Sequence, residues 1–483
     1  MTIEYLRFHA LERPEALILV DGDREIRYAE FVADLWKFAH AIQEFGLRRG
    51  SSVAIGCDDF QTHWLLVLAF EHLGIVTASF HGKEGRNCQA LLGSVDLVLA
   101  EPHYPPGGWN TRLITPAWVQ GVLARPEQAP PPAAPRHPDD VLRIVRTSGT
   151  TGEPKRFHLT RRMSEARLAQ LIWLYRDLPT GAGSLVTLPW NIGGTYRAAM
   201  LAIRSGFALV VGNGIATEQL PALIRRRRVA SLTLLPVQLK QVLEHLPEDW
   251  VKPEHMEITC FGAPVPEELR RAALDSLAHR VVDIYGSNEV GTLSVTRYGA
   301  SGGFGTICPD IEIEIVDEAD RPAPDGTLGQ IRIRNDTGFQ GYLDDQTLNR
   351  RMLRDGWFYP GDIGVRDGRR LQVIGRNDDQ ANIGGAKYPL TKLETLVQRS
   401  AGAGLKDVGV AAIADASGVN EIHVALVTDG SDDRALLDRV IARLRPMIAG
   451  SIHLTRLPQI PRNEMGKIDR ALLKAAILAL QPR

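Results

Sequence analysis

Apolar runs of strand length alternate with amphipathic stretches of helix length over the first hundred residues, and this pattern constrains the fold more than any other feature. Tyr28, Phe31, Val32, Leu35, Phe38, Ile42 and Phe45 recur at helical spacing, and Gly46 follows as a stop. Residues 52–57 then read as a buried strand, 63–73 as a helix closed by Gly74, and 75–80 as a second strand. Strands that alternate with helices form a mainly parallel sheet covered by helices, because each crossover must span the sheet. The expected class is therefore α/β.

The pattern changes twice further along. Ala129-Pro130-Pro131-Pro132-Ala133-Ala134-Pro135 lies in an extended surface connector. From about 302 to 334 short alternating strands separated by Gly, Pro and Asp turns predict a small β-rich subdomain. Beyond 376, two helical stretches (391–399 and 435–447) flank two apolar strands (409–413 and 422–427), which predicts a compact α+β unit. The expected organisation is a large N-terminal domain over 1–376, with layered sheets and the β-rich subdomain, and a small C-terminal domain over 377–483.

Composition excludes several classes of function. The 56 basic residues balance 57 acidic ones, so the basic excess that displaces phosphate counterions from nucleic acid is missing. The one basic run, Arg225 to Arg228, reads as the solvated C-terminal end of a helix. Cys57, Cys88, Cys260 and Cys308 form no Cys-x-x-Cys pair, so neither a zinc ribbon nor a redox motif is indicated and reduced thiols are expected. The longest apolar runs, such as 64–70, are too short to span a bilayer, and residues 1–13 lack a signal-peptide core. A cytoplasmic protein is expected. His63, His158 and His245 show no ligand spacing and are read as structural.

One loop carries chemistry. Thr147-Ser148-Gly149-Thr150-Thr151-Gly152-Glu153-Pro154-Lys155 follows the predicted strand 141–145 directly. Two glycines let successive N–H groups converge on anionic oxygens, and four hydroxyls and a lysine add donors and charge. It is not a Walker loop, since no Gly-x-x-x-x-Gly-Lys-Ser/Thr string occurs.

This string resembles the phosphate-binding signature of the adenylate-forming superfamily, which includes acyl- and aryl-CoA synthetases, peptide-synthetase adenylation domains and luciferases. Other segments resemble that family's motifs in the same order. They are Pro189-Trp190-Asn191-Ile192-Gly193-Gly194, Gly262-Ala263-Pro264, Asp283-Ile284-Tyr285-Gly286-Ser287-Asn288-Glu289, Gly356-Trp357-Phe358-Tyr359-Pro360-Gly361-Asp362, Gly375-Arg376-Asn377-Asp378-Asp379 and Pro461-Arg462-Asn463-Glu464-Met465-Gly466-Lys467-Ile468-Asp469-Arg470. The opening residues 9–31 are similar to family N-termini, so the likeness spans the chain.

The resemblance implies a magnesium- and ATP-dependent ligase that adenylates a small-molecule carboxylic acid and passes the acyl group to a thiol, CoA or the phosphopantetheine of a carrier protein. It places Lys467, Glu289 and Thr151 in catalysis, with Glu289 and Thr151 toward Mg2+. It implies ATP binding by Thr147 to Gly152, Lys155, Gly262, Ala263, Pro264, Asp283 to Asn288, Asp362, Arg376 and Lys467. Within those runs lie Ser148, Gly149, Thr150, Ile284, Tyr285, Gly286 and Ser287. Trp190, Asn191 and Gly194 are implied for the acyl pocket, Asp378 for a hinge about which the C-terminal domain moves, and Gly384 and Gly385 for the pantetheine tunnel. A stand-alone enzyme that loads a carrier protein would use the same residues, and a silent nucleotide-binding regulator would lack the need for Lys467 and Glu289.

The sequence departs from the family pattern at three positions. Asn288 replaces a usual threonine, Arg156 a usual glycine, and Asn382 a frequent lysine. Arg156 is expected either to stiffen the loop or to meet phosphate. Asn191 stands where amino-acid-activating members carry an aspartate for the substrate ammonium, which argues against an α-amino acid.

Overall fold

The computed structural model describes all residues except 1, 82–87, 105–107, 148–153, 176–182, 298–302, 336–337, 378, 384–385, 402–403, 416–419, 431–432, 449–450, 464–465 and 481–483. The chain forms two compact units. The first holds 1–299, 308–310 and 335–350; the second holds 300–307, 311–334 and 351–483. The β-rich strands thus group with the C-terminal residues, and the 376/377 border expected from the sequence falls inside the second unit.

The first unit is built on two sheets. One has the strand order Thr111–Leu113, Leu97–Ala100, Ser52–Gly56, Val76–Ser79, Val141–Thr147, Lys155–Thr160. Its neighbours are parallel except the last pair, which is antiparallel and sets Thr147 opposite Lys155. The other runs from Gly291–Arg297 through Arg280–Ser287, Glu257–Phe261, Val229–Leu234, Gly183–Val186, Ala208–Val211 and Leu17–Asp21 to Arg24–Arg27. It is parallel in the middle and antiparallel at both ends. Its inner strands bury Leu185, Val210, Leu232, Leu234, Ile258 and Val281 in one cluster with Leu239 and Val242 of the helix Pro236–Glu244.

The helical periodicity near the N-terminus is the helix Tyr28–Gln43, whose Tyr28, Phe31, Leu35, Phe38 and Ile42 are fully buried. The helix expected over 63–73 spans Phe60–His72. It begins three residues early because the Asp59 carboxylate accepts from Thr62 N at 2.8 Å and caps it there. Arg225, Arg226 and Arg227 occupy the last turn of Leu220–Arg227, as the basic run predicts. The four cysteines are free and buried.

The second unit pairs Gly305–Ile307, Arg370–Arg376, Asp362–Asp367, Leu328–Arg334, Trp357–Phe358 and Leu353–Arg354 in that order, with Glu312–Val316 on Leu328–Arg334. The pairings within this group are antiparallel. A further sheet, Leu405–Ala414, Asn420–Thr428 and Ile452–Arg456, packs the helices Leu390–Ala401 and Asp433–Leu444 through Val397, Val410, Ile422, Val424 and Val440. Leu473 and Ile477 of Arg470–Ala479 pack with Ala411, Ala425, Leu457 and Ile460 of the same unit. Among the described residues no helix is long and apolar enough to cross a membrane.

Candidate active site

In the first unit, the strand Val141–Thr147 delivers the Ser/Thr/Gly loop and Lys155–Thr160 receives it. Ser148, Gly149, Thr150, Thr151 and Gly152 lie outside the described residues, but both posts of the loop are placed by the Thr147–Lys155 register. Lys155 Nζ lies 5.4 Å from the centre of the Tyr342 ring. The Tyr342 hydroxyl donates to Glu289 Oε1 at 2.7 Å. The loop lysine, the phenol and the carboxylate therefore form one constellation.

Glu289 is 7% exposed and has no ion pair among the described residues. A buried carboxylate without an ion pair is a good ligand for a divalent cation. Beneath it, Arg167 Nη2 donates to the Glu289 carbonyl at 2.6 Å.

Glu289 lies in the turn of a tight hairpin that pairs Arg280–Ser287 with Gly291–Arg297. A Cβ on Gly286 would stand 2.2 Å from the Gly291 carbonyl oxygen, so only glycine fits where the two strands converge. Ser287 Oγ is buried without a hydrogen-bond partner among the described residues. Tyr285 is half-buried on the same strand. Asp283 faces the preceding loop, where Oδ2 accepts from Val265 N at 3.0 Å and lies 3.9 Å from Arg270 Nη2. Burial pushes its pKa above the usual carboxylate range. Asp283 thereby anchors Gly262, Ala263 and Pro264, which lead from the strand Glu257–Phe261.

A cleft open to solvent lies beside Asn288. Trp190 and Asn191 line it, as does Gly193, one residue before the expected Gly194. A Cβ on Gly193 would meet Asn288 Oδ1 at 2.8 Å, so glycine lets the helix Gly193–Ser205 start against this side chain. Asn288 Nδ2 donates to the Arg146 carbonyl at 3.4 Å.

Trp190 is 5% exposed and stacks on His63 at 5.0 Å with the rings within 1° of parallel. Phe60 packs against it at 5.0 Å. The imidazole of His63 is held by a chain of hydrogen bonds. The Cys57 carbonyl can only accept, so Nδ1, at 3.0 Å, carries the proton. Nε2 then accepts from Ser79 Oγ at 2.8 Å, and Ser79 Oγ accepts from Arg143 Nη2 at 2.7 Å. Burial, the largest cause, lowers the His63 pKa to about 3, so the ring is neutral. This matches its reading as a structural histidine.

Arg156 does not reach toward phosphate. It donates through Nε to Asp344 Oδ2 at 2.8 Å, through Nη1 to the Ala90 carbonyl at 2.8 Å, and to Ser94 Oγ. These partners occupy the guanidinium, so the expected phosphate contact finds no support.

In the second unit, Asp362 opens one strand and Arg376 closes its neighbour, and the register sets them opposite each other. Arg376 Nε lies 3.9 Å from Asp362 Oδ1, and its Nη2 donates to the Pro360 carbonyl at 3.1 Å. Asp378, Gly384 and Gly385 lie outside the described residues. Lys467 is exposed on a small loop that closes on itself. Its backbone N donates to Asn463 Oδ1 at 3.1 Å, Asn463 N donates back to the Lys467 carbonyl at 2.9 Å, and Asp469 N donates to the Pro461 carbonyl at 2.9 Å. Arg462 clamps this loop by pairing with Asp407 at 2.7 Å and donating to the Gly466 carbonyl at 2.8 Å.

Tyr342, Arg167 and Arg197, which lines the cleft, were not legible as site residues. Arg143 left a trace, a charged residue between Leu142 and Ile144 in an apolar strand. Such a position means a buried cation with dedicated partners.

Comparison with known proteins agrees with this geometry. Residues 94–343, more than half of the chain, match the AMP-binding enzyme family. An indoleacetate–CoA ligase of Aromatoleum aromaticum is 27% identical over 515 residues, covering 97% of this chain and 96% of that protein. The medium/long-chain-fatty-acid–[acyl-carrier-protein] ligase FadD10 of Mycobacterium tuberculosis is 24% identical over 523 residues, covering 98% and 95%. The crystal structure of ATP-bound MatB from Rhodopseudomonas palustris superposes with a TM-score of 0.86 at 21% identity, covering 98% of each chain.

Proposed function

The chain belongs to the AMP-binding enzyme family, and on that premise we propose that it is an ATP- and magnesium-dependent carboxylic acid:CoA ligase. The observation that carries this reading is Glu289, a buried carboxylate without an ion pair among the described residues, positioned by Tyr342 beside Lys155. That grouping suits a divalent cation held against a polyphosphate, since like charges meet only with a cation between them. Magnesium, when bound, offsets the charge of the phosphate oxygens; Glu289 and Thr151 would hold it.

In the first half-reaction an oxygen of the acid attacks the α-phosphorus, and the bond to pyrophosphate breaks. Lys155 and the hydroxyls and N–H groups of residues 147–152 stabilise the leaving pyrophosphate, while the Lys467 ammonium offsets charge developing between carboxylate and α-phosphate. Tyr285 packs on adenine, with Gly262, Ala263 and Pro264 at its border. Asp362 accepts from the ribose hydroxyls and Arg376 reaches the nucleotide. In the second half-reaction a thiol sulfur attacks the acyl carbon and AMP leaves. Residues 377–483 act as a lid turning at Asp378, with Gly384 and Gly385 along the path of the pantetheine arm.

An acyl-carrier-protein ligase among the relatives keeps a second acceptor in view, the phosphopantetheine of a carrier protein. The test is acid-dependent ATP–pyrophosphate exchange over short, medium, aryl and amino acids, followed by thioester formation with CoA or with a phosphopantetheinylated carrier. Exchange that is lost in Lys467→Ala, followed by acyl-CoA, is the expected result. Thioester on the carrier alone would replace CoA as acceptor, and no exchange with any acid would overturn the ligase reading.

A further inference from the structure

The cleft beside Asn288 is cationic. Arg143, Arg146, Arg167 and Arg197 all line it, and no aspartate or glutamate among the described residues does. Arg143 and Arg167 donate to neutral acceptors. Arg143 donates to Thr77 Oγ1 at 3.0 Å and Ser79 Oγ at 2.7 Å, with its guanidinium 4.5 Å from the centre of the Tyr196 ring. Arg146 Nη2 lies 3.4 Å from the Ser79 carbonyl, and Arg167 binds the Glu289 carbonyl. Arg197, half-buried on the helix Gly193–Ser205, has neither a hydrogen bond nor an ion pair among the described residues.

Two carboxylates act on this group electrostatically. Glu71 influences Arg143 and is itself paired with Arg161 at 3.3 Å. Glu289 influences Arg167, and its carboxylate accepts from the Tyr342 hydroxyl. Arg197 is left without a carboxylate partner among the described residues. Burial lowers the pKa of Arg143 and of Arg197. Cations withdrawn from water without counter-charge are costly unless an anion enters with the ligand.

Trp190 and Asn191, which the family resemblance implies for the acyl pocket, line the same cleft, and Arg197 stands one turn into the helix that follows them. We propose that Arg197 is a specificity-determining residue that binds a second anionic group on the acid, and that the substrate is a short or aryl dicarboxylate. This rests on the ligase reading above. One carboxylate is adenylated; the other forms the ion pair that Arg197 lacks, with its fork of donors suited to two carboxylate oxygens. Arg143 and Arg167 supply field and hold the wall in place.

The test measures binding without nucleotide, so it does not depend on turnover. Calorimetry compares benzoate with isophthalate and hexanoate with adipate on the full chain, and ATP–pyrophosphate exchange is run in parallel. At least one dianion is expected to bind tenfold or more tightly than its matched monoanion. Arg197→Gln should erase that preference without moving the KM for ATP, and Arg197→Lys should recover part of it; thermal unfolding confirms that both variants are folded. Equal or undetectable affinities in the wild type, or a preference that survives Arg197→Gln, would overturn the proposal. So would a rise in the KM for ATP in Arg197→Gln with acid preference unchanged, which would assign the arginines to the nucleotide. A dianion preference without exchange would sink the ligase reading alone, and exchange without a dianion preference would sink this one alone.

Discussion

The phenol of Tyr342 stands 2.7 Å from Oε1 of Glu289, and 53 residues of chain separate the two. Tyr342 fixes the rotamer of a carboxylate that must face both a cation and a polyphosphate, so it is a positioning residue for the proposed chemistry. Losing a hydrogen bond to a charged group is worth about 1.5–3 kcal/mol. Tyr342→Phe should therefore reduce pyrophosphate exchange roughly tenfold or more, with a higher magnesium concentration needed for half-maximal rate. A magnesium titration checks this. A variant with normal exchange at every magnesium concentration would show that the phenol only packs.

Lys467 is exposed, so its loss should leave stability alone while removing charge from the transition state. Removing one such donor lowers kcat by about 10²–10³. Lys467→Ala should show that fall in adenylate formation with an unchanged Tm, read by exchange and by thermal unfolding on the same preparation.

Gly286 lies where the strand Arg280–Ser287 pairs closely with its antiparallel partner, two residues before Asn288. Since a Cβ there would stand 2.2 Å from a backbone oxygen, Gly286→Ala must push the two strands apart. Overpacking of this kind typically costs about 1–3 kcal/mol. A reduced Tm together with weaker ATP binding is expected, and a variant as stable as the parent would contradict the close approach.

In the second unit Arg470 pairs with Glu394, whose side chains are 18% and 13% exposed. Arg470 also donates to the Val410 carbonyl at 2.9 Å and lies 3.4 Å from Asp379. Burial pushes Glu394 up while the Arg470 contacts oppose it. Arg470→Ala leaves a buried carboxylate uncompensated, a loss of about 3–5 kcal/mol. Denaturant unfolding of the full chain measures it.

His63 is fully buried, with its pKa lowered from 6.5 to about 3. The unfolded chain takes up a proton below pH 6.5 that the folded ring refuses, so this contribution to stability is present above 6.5 and lost as pH falls toward 3. The slope is about 1.4 kcal/mol per pH unit well inside that window. His63→Gln should be less stable at pH 7 yet lose less stability between pH 6.5 and 4.5. Equal slopes in parent and variant would show that the ring titrates normally.

Much of the layout was legible in the sequence because it rests on short-range regularities. The apolar spacing from Tyr28 to Ile42 is a local property of one helix, and so is the basic end of Leu220–Arg227. The order of the motifs identified the family and named Glu289, Lys155 and Lys467, since those groups sit at fixed offsets within strings that can be read residue by residue.

What only the tertiary structure decided is which side chains meet across those strings. Arg156 could be read as a phosphate ligand until its guanidinium was seen on Asp344, 188 residues away. Arg143 reaches Ser79 across 64 residues because the strands Val76–Ser79 and Val141–Thr147 are sheet neighbours. Tyr342 and Arg197, which has no ion pair among the described residues, carry no local signal at all. Periodicity records which face of an element is apolar. Which polar groups share a buried space depends on the pairing and packing of distant strands, and on the charge left over when they close together.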